Sequence, residues 1–117
     1  MAPQKKAGAL EVIRDVAKLY GITVAEVKSS RRFRKLADAR AVICYILCSQ
    51  CKFNYSEVAR MLNRTHATAI YFVKNAEGWL RVPAFNPQGA RIINELINKN
   101  NYKQKWSKAN GDNIYSK

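Results

Sequence analysis

Small or hydrogen-bonding side chains open a long helical segment near the middle of the chain. They are Arg64, Thr65, His66, Ala67 and Thr68, and bulky apolar residues follow only after them. Threonine and histidine donate or accept hydrogen bonds at base edges, and a methyl group packs on thymine. The N-terminus of a helix also favours a phosphate. These residues are therefore candidates for nucleic-acid contacts, although a threonine that only caps and a histidine that only packs would give the same pattern.

A dense cluster of positive charge lies earlier in the chain, directly before an apolar segment. Its members are Lys28, Arg31, Arg32, Arg34 and Lys35. Such side chains neutralise phosphates and release counterions. An arginine can also enter an A·T-rich minor groove, which is narrow and strongly negative. A charge run is often only a solvated surface, but the overall charge of this chain favours the functional interpretation.

Composition narrows the class of partner and argues against catalysis. The 117 residues suggest one domain, 48% of them are hydrophobic, and the net charge of +13 attracts polyanions such as DNA, RNA or an anionic membrane. No RRM, KH or zinc-knuckle motif favours RNA. One histidine and eight scattered acidic residues, without a nucleophile motif, leave little from which to build an active site. We therefore expect no enzymatic activity.

Neither a secretion signal nor a membrane span is visible. The N-terminal residues MAPQKKAGAL include basic residues but no apolar core of a signal peptide. The longest apolar run, 41–48, is far shorter than the roughly 20 residues that a membrane-spanning helix needs. We expect a soluble cytoplasmic protein that associates with the nucleoid and not with a membrane.

Three cysteines raise the question of a cofactor. Cys44, Cys48 and Cys51 have the spacing C-x3-C-x2-C, which is also found in radical enzymes that hold an iron–sulfur cluster. Cys44 and Cys48 lie in an apolar helical segment, where cysteine behaves as a small hydrophobic residue. An odd number also argues against a disulfide framework. We expect structural thiols, no metal and no cofactor.

Helical periodicity runs through nearly the whole chain, which predicts an all-α bundle. A first helix is expected at 9–20, ended by Gly21, and the capping box of Thr23 and Glu26 starts a second. The stretch 29–34, here called the basic loop, follows. Later helices are expected at 35–50, 55–62, 65–80 and 87–100.

The central pair of helices has the pattern of a helix-turn-helix. Asn54 and Glu57 form a capping box for the short first helix, and Asn63 and Arg64 make a tight polar turn. Thr65 is the expected N-cap of the longer second helix. In a helix-turn-helix, the N-terminal end of the second helix enters the DNA major groove.

Four segments are expected along the chain: a flexible N-terminus at 1–8, the helix-turn-helix domain at 9–82, an accessory helix at 83–100 and a basic flexible tail at 101–117. The accessory helix carries an apolar stripe of Ile92, Ile93, Leu96 and Ile97. This stripe either completes the core or docks on a replication or transcription protein. In the second case, the chain would be an interaction protein.

The span 12–80 resembles the C-terminal DNA-binding domain of the bacterial replication initiator DnaA. Tyr20-Gly21-Ile22 matches its tyrosine–glycine–isoleucine turn, and Arg31-Arg32-Phe33-Arg34 matches its basic loop. Arg40 matches an arginine near the start of its long helix. The signature Gly-Arg-Asp-His-Thr-Thr-Val corresponds to NRTHATA at 63–69.

The resemblance implies a compact helical domain that reads double-stranded DNA through both grooves. Arg31 would enter the minor groove, and the major-groove base contacts would come from Thr65, His66, Ala67 and Thr68. Arg40 would contact a phosphate near the start of its helix. The other expected backbone contacts are Arg32, Arg34, Lys35 and Arg64, with Lys52 and Lys74 as weaker candidates.

Departures from the family pattern predict an altered target. The aspartate of the signature is Thr65 here and its first threonine is Ala67, while Asp38 stands where the family has a basic residue. One directed base contact is typically worth about 1–3 kcal/mol of discrimination. The chain also has no G-x-x-x-x-G-K-[ST] loop. We expect a short natural protein, monomeric on an asymmetric site, that acts in replication control or transcriptional regulation without ATPase activity.

Overall fold

A computed structural model describes residues 2–100, with side chains from 8 to 98. In this part of the chain, all regular structure is helical. The helices are α1 (Ala2–Tyr20), α2 (Val24–Lys28), α3 (Arg34–Ser49), α4 (Tyr55–Met61), α5 (His66–Arg81) and α6 (Pro87–Asn100), with a short 3-10 helix at Pro83–Phe85 between the last two. The predicted all-α bundle is confirmed.

Helix α3 forms the centre of the core, and the other five α-helices pack around it. Its residues Ile43, Ile46 and Leu47 are fully buried. Burying a leucine or isoleucine side chain stabilises the fold by about 1.5–3 kcal/mol. This packing fixes the positions of α2 and of the α4–α5 pair, and with them the positions of the basic loop and of the first turn of α5.

Both predicted capping boxes are present. The Thr23 hydroxyl accepts from the Glu26 amide at 3.0 Å, and the Glu26 carboxylate accepts from the Thr23 amide at 2.9 Å. Asn54 and Glu57 make the equivalent pair at 2.8 and 3.0 Å. Each box satisfies two amides that the first turn of a helix leaves without partners. These boxes set where the short helices α2 and α4 begin.

Helix α1 ends where the sequence predicts, but it begins earlier than predicted. The helix ends at Gly21, as predicted, where a φ of 70° suits a residue without a side chain. It begins at Ala2, well before the expected start at 9, so it extends through most of the expected N-terminal tail. The sequence APQKKAGA explains this extension, since proline fits the first turn and alanine, glutamine and lysine favour helix.

Helix α6 belongs to the same core as the rest of the bundle. Its residues Ile92, Ile93 and Leu96 are buried against α3, α5 and α1, and Ile97 is partly buried. Asn86 caps its start by accepting from the Gly89 amide at 3.0 Å. Most of the apolar stripe is therefore covered by the domain itself. The predicted basic tail at 101–117 lies outside the described residues.

Candidate nucleic-acid interface

Helices α4 and α5 pack together through a short turn and form the predicted helix-turn-helix. The Arg64 amide donates to the Ala59 carbonyl at 2.8 Å, which ties the turn to the end of α4. Asn63 has a φ of 57°, in the left-handed region. Asparagine tolerates this conformation better than most residues. This tolerance explains why asparagine can occupy the position at which the family signature has glycine.

The first turn of α5 presents the four expected base-reading side chains. Thr65 caps the helix, and its hydroxyl accepts from the Thr68 amide at 3.2 Å and lies 2.9 Å from the Thr68 hydroxyl. Thr65, His66 and Ala67 are exposed, and Thr68 is half-buried. The predicted N-cap role of Thr65 is confirmed. The cap leaves a paired threonine hydroxyl group at the surface beside His66.

His66 is oriented by two residues of α4. Its Nδ1 lies 3.0 Å from the Ser56 hydroxyl, and its ring meets the Tyr55 ring edge-on with centroids 5.9 Å apart. This arrangement leaves Nε2 as the nitrogen for a ligand. Whether Nε2 donates or accepts depends on which partner carries the proton between Nδ1 and Ser56. Ser56 and Tyr55 were not predicted as neighbours of His66, because no local pattern links them to a residue in the next helix.

The charged side chains of the basic loop are exposed, and so is that of Lys35, which directly follows the loop. Arg31, Arg32, Arg34 and Lys35 all lie at the surface. The Arg31 guanidinium lies 3.8 Å from the Glu26 carboxylate, and its side chain is 62% exposed. Such a surface pair contributes about 0–1 kcal/mol. Arg31 is therefore only weakly held, and a phosphate or a base edge can displace its partner.

Arg40 takes a different position from the one expected for a phosphate contact. It is only 2% exposed. Its guanidinium donates to the carbonyls of Val27, Arg31, Glu26 and Ser29, at 2.8, 2.8, 3.1 and 2.8 Å. Burial lowers its pKa, and the nearby Arg64 charge adds to this effect. A phosphate contact stays a prediction, but most of the donors of Arg40 already serve the backbone around the basic loop.

Arg64 connects the helix-turn-helix to the basic loop. Its Nη2 donates to the Ser29 carbonyl at 2.6 Å, and its Nη1 donates to the Leu62 and Asn63 carbonyls at 3.3 and 3.1 Å. The side-chain amide of Asn63 also donates to the Lys28 carbonyl at 3.3 Å. The sequence does not reveal the bonds to Ser29 and Lys28, because their partners are 35 residues apart.

A groove lies between the basic loop and α5. Its volume is about 580 Å³, and its lining includes Ser30, Arg32, Thr68 and Tyr71 together with Arg40 and Arg64. Tyr71 is 61% exposed and was not predicted as a contact residue. Its position four residues after Ala67 places it on the same face of the helix. The groove is thus cationic along one wall and is continuous with the first turn of α5.

Two weaker candidates lie away from this groove. Lys74 is exposed on α5, seven residues after Ala67 and so on the same face of the helix. Lys52 is exposed between α3 and α4 with a φ of 64°. Neither lysine lines the groove. A DNA contact by either residue stays a prediction.

Asp38 and the cysteines lie within or beside the core. Burial raises the pKa of the Asp38 carboxyl, while neighbouring Asn86 and Arg34 act in the opposite direction. Burial also raises the pKa of Cys48 to about 11 and of Cys51 to about 12, and that of the buried Cys44 thiol as well. Within the described residues, no group of three or more histidine, cysteine or acidic side chains could hold a metal ion.

The described part of the chain contains no helix that is long and apolar enough to span a membrane.

Comparisons with known families and proteins agree with the resemblance. The family model described as the bacterial dnaA protein helix-turn-helix matches residues 10–75. The chromosomal replication initiator protein DnaA of Pelobacter propionicus is 27% identical over 95 residues, which are 80% of this chain and 20% of that protein. The protein of the same name from Ureaplasma parvum is 32% identical over 90 residues, 76% of this chain and 19% of the relative. No solved structure matches the chain.

The match shows the family of the chain, and it covers only a small part of each relative. The chain spans about a fifth of the length of these relatives. The residues matched by the family model include the basic loop, α3, α4 and the first part of α5. The resemblance drawn from the sequence is confirmed, and the chain belongs to the family of bacterial DnaA helix-turn-helix domains.

Proposed function

We propose that this protein binds double-stranded DNA at a specific sequence and contacts both grooves. The observation that carries the proposal is the groove between the basic loop and α5, because it brings Arg32, Thr68 and Tyr71 to one cationic surface. A helix of this length fits the major groove, and a basic loop beside it can reach the adjacent minor groove.

The major-groove contacts are assigned to the first turn of α5. Nε2 of His66 faces away from Ser56 and is the nitrogen left for a base edge or a phosphate. The paired hydroxyl groups of Thr65 and Thr68 can donate or accept, and the Ala67 methyl can pack on thymine. Because Thr65 replaces an acceptor-only carboxylate of the family signature, the preferred sequence should differ from that of the initiator proteins.

The minor-groove contact is assigned to Arg31, with Arg32 as the second candidate. Arg31 is exposed and only weakly paired with Glu26. Arg32 lines the groove that Thr68 also lines, which favours it as a neighbour of the major-groove contacts. The phosphate contacts are assigned to the exposed side chains of Arg34, Lys35, Lys74 and Lys52.

The role of the protein follows from the family and is part of the proposal. The relatives are named chromosomal replication initiator proteins, and we propose replication control or transcriptional regulation on the nucleoid. We also propose that the protein acts without ATP hydrolysis and binds as a monomer on an asymmetric site. Docking on a partner through α6 is less favoured, because most of its apolar stripe is buried.

Binding measurements on alanine variants test this proposal. His66→Ala should weaken binding to the preferred duplex about 10-fold or more, since one good base contact is worth about 1–3 kcal/mol. Binding to random duplex should change by less than twofold. Arg31→Ala and Arg32→Ala should be compared on duplexes with A·T-rich and G·C-rich flanks. Equal losses on preferred and random DNA would contradict the base-reading assignment.

A further inference from the structure

We propose that Arg40 and Arg64 are positioning residues that hold the basic loop against the turn of the helix-turn-helix, so that the minor-groove and major-groove contacts stay in register. This inference rests on the proposed function. It replaces a direct phosphate contact as the main role of these two arginines.

The Ser29 carbonyl is the point at which the two arginines meet. It accepts from Arg64 Nη2 at 2.6 Å and from Arg40 Nη2 at 2.8 Å. Arg40 belongs to α3, and Arg64 precedes the N-cap of α5. One carbonyl at the start of the basic loop is thereby bonded to the central helix of the core and to the helix-turn-helix.

Arg40 also holds the rest of the loop from inside the protein. Its bond to the Arg31 carbonyl reaches the middle of the basic loop, and its bonds to the Glu26 and Val27 carbonyls cover the end of α2. The last carbonyls of a helix lack partners within the helix. A guanidinium has five N–H donors in a fixed plane, and here they converge on one short segment of backbone. Lysine could not reproduce this pattern, because its donors radiate from one atom.

Asn63 adds a third hydrogen bond, which joins the turn of the helix-turn-helix to the end of α2. The side-chain amide of Asn63 donates to the Lys28 carbonyl at 3.3 Å, beside the Ser29 carbonyl that Arg64 contacts. Consecutive turn residues thus bind two consecutive carbonyls, those of Lys28 at the end of α2 and of Ser29 at the start of the basic loop. This ladder fixes the distance between the charged side chains of the loop and the first turn of α5. A preorganised loop loses less conformational entropy when it binds than a mobile one.

The electrostatics explain why two arginines can lie close together here. Each carries a positive charge, and the Arg64 charge adds to the effect of burial in lowering the pKa of Arg40. The carbonyl oxygens between them supply the negative ends of dipoles and offset this repulsion. A bound phosphate would have to compete with these carbonyls for the same N–H groups.

The first experiment uses the free protein and measures hydrogen exchange of the Ser29 and Arg31 amides in the basic loop, which donate to the Glu26 carbonyl and the Ser29 hydroxyl. Arg64→Ala should accelerate exchange there about 10-fold, because a hydrogen bond from a charged group typically contributes 1.5–3 kcal/mol. Asn63→Gly should give a smaller acceleration, since glycine keeps the left-handed backbone and removes only the side-chain donor. Arg91→Ala, which removes an exposed arginine on α6, is the matched control and should leave loop exchange unchanged. Unchanged loop exchange in Arg64→Ala would overturn the proposal.

The second experiment asks whether Arg64 acts through the loop when DNA is bound. Arg64→Ala should weaken binding to an A·T-flanked duplex about 10-fold in the otherwise unchanged protein. In a background that carries both Arg31→Ala and Arg32→Ala, the same substitution should cost less than about twofold, because coupled residues are non-additive.

An equal loss in both backgrounds, with a salt dependence that falls by about one released counterion, would identify Arg64 as a phosphate contact instead. The two proposals fail separately. If no duplex is bound specifically, the proposed function is overturned, while loop exchange in the free protein still decides whether the arginines hold the loop.

Discussion

At the scale of single residues, the candidate contact His66 has its ring oriented by the neighbouring side chains of Ser56 and Tyr55. His66 could be singled out from the sequence because it follows an N-cap in a helix-turn-helix pattern. Its partner Ser56 could not, because ten residues and a turn separate them. Arg40 was expected at a phosphate, since sequence position cannot distinguish a buried arginine that serves carbonyls from an exposed one.

Removing the Ser56 hydroxyl tests how His66 is oriented. Ser56→Ala should weaken specific binding about 3- to 10-fold, because a typical hydrogen bond contributes about 0.5–1.5 kcal/mol. Non-specific binding should be unaffected, and competition between labelled specific and random duplexes would measure both. In a His66→Ala background, the loss of Ser56 should have no further effect. A further loss in that background would show that Ser56 contacts DNA itself.

The partly buried carboxylate of Asp38 predicts a specific pH dependence of stability. Burial raises its pKa in the folded protein, so the folded state binds a proton more readily than the unfolded state. The charged form therefore lowers stability at neutral pH, and this penalty fades as the pH falls through the raised pKa. Asp38→Asn should raise Tm at pH 7 by a few degrees at most, since such changes are usually within about 0.5 kcal/mol.

Thermal unfolding followed by circular dichroism measures this effect. The difference in Tm between Asp38→Asn and the parent should shrink as the pH falls through the raised pKa of the carboxyl group. A difference that grows on acidification would mean that the charged carboxylate stabilises the fold, in contrast to the effect of burial. Glu95→Gln, at an exposed position on α6, provides a control with the same change of charge.

At the scale of elements, capping chemistry and apolar periodicity were sufficient to predict most of the bundle. The capping boxes at Thr23 and Asn54 and the proline at the start of α6 identified helix starts that the structure bears out. The 3-10 helix at Pro83–Phe85 was not predicted, because three residues carry no periodicity. The bonds from Asn63 and Arg64 to the basic loop were also missed, since they depend on how α2 and the α4–α5 pair pack on α3.

Helix α6 provides a prediction at this scale. A chain ended after Pro83 should lose cooperative unfolding or show a much lower Tm, because the partners of Ile92, Ile93 and Leu96 would be exposed. Each buried side chain of this kind contributes about 2–5 kcal/mol when it is truncated. A chain ended after Asn100 is the matched control and should unfold like the full protein. A stable, DNA-binding chain 1–83 would show that α6 is accessory and would favour docking of a partner on that helix.

At the scale of the whole molecule, the net charge acts over a long distance, whereas the proposed specificity depends on contacts at one small surface. We expect the net charge of +13 to attract the protein to any duplex and to make the proposed binding salt-dependent. The proposed specificity would then come from the small surface where the basic loop and the first turn of α5 meet. The sequence was sufficient to predict the family, since the family depends on motifs that can be read locally. Double-stranded DNA as the partner stays a prediction. The preferred sequence depends on Thr65 and Ala67, where this chain departs from the family signature.

Selection of bound duplexes from a random DNA library, at near-physiological salt, is the measurement that decides whether the protein binds a specific DNA sequence. We expect enrichment of one asymmetric motif related to the initiator's site, with changes at the base pairs that Thr65 and Ala67 would face. The same selection with His66→Ala should enrich that motif weakly or not at all. Strong binding without any enriched motif in the parent protein would contradict the account, because the charge would then act without base readout.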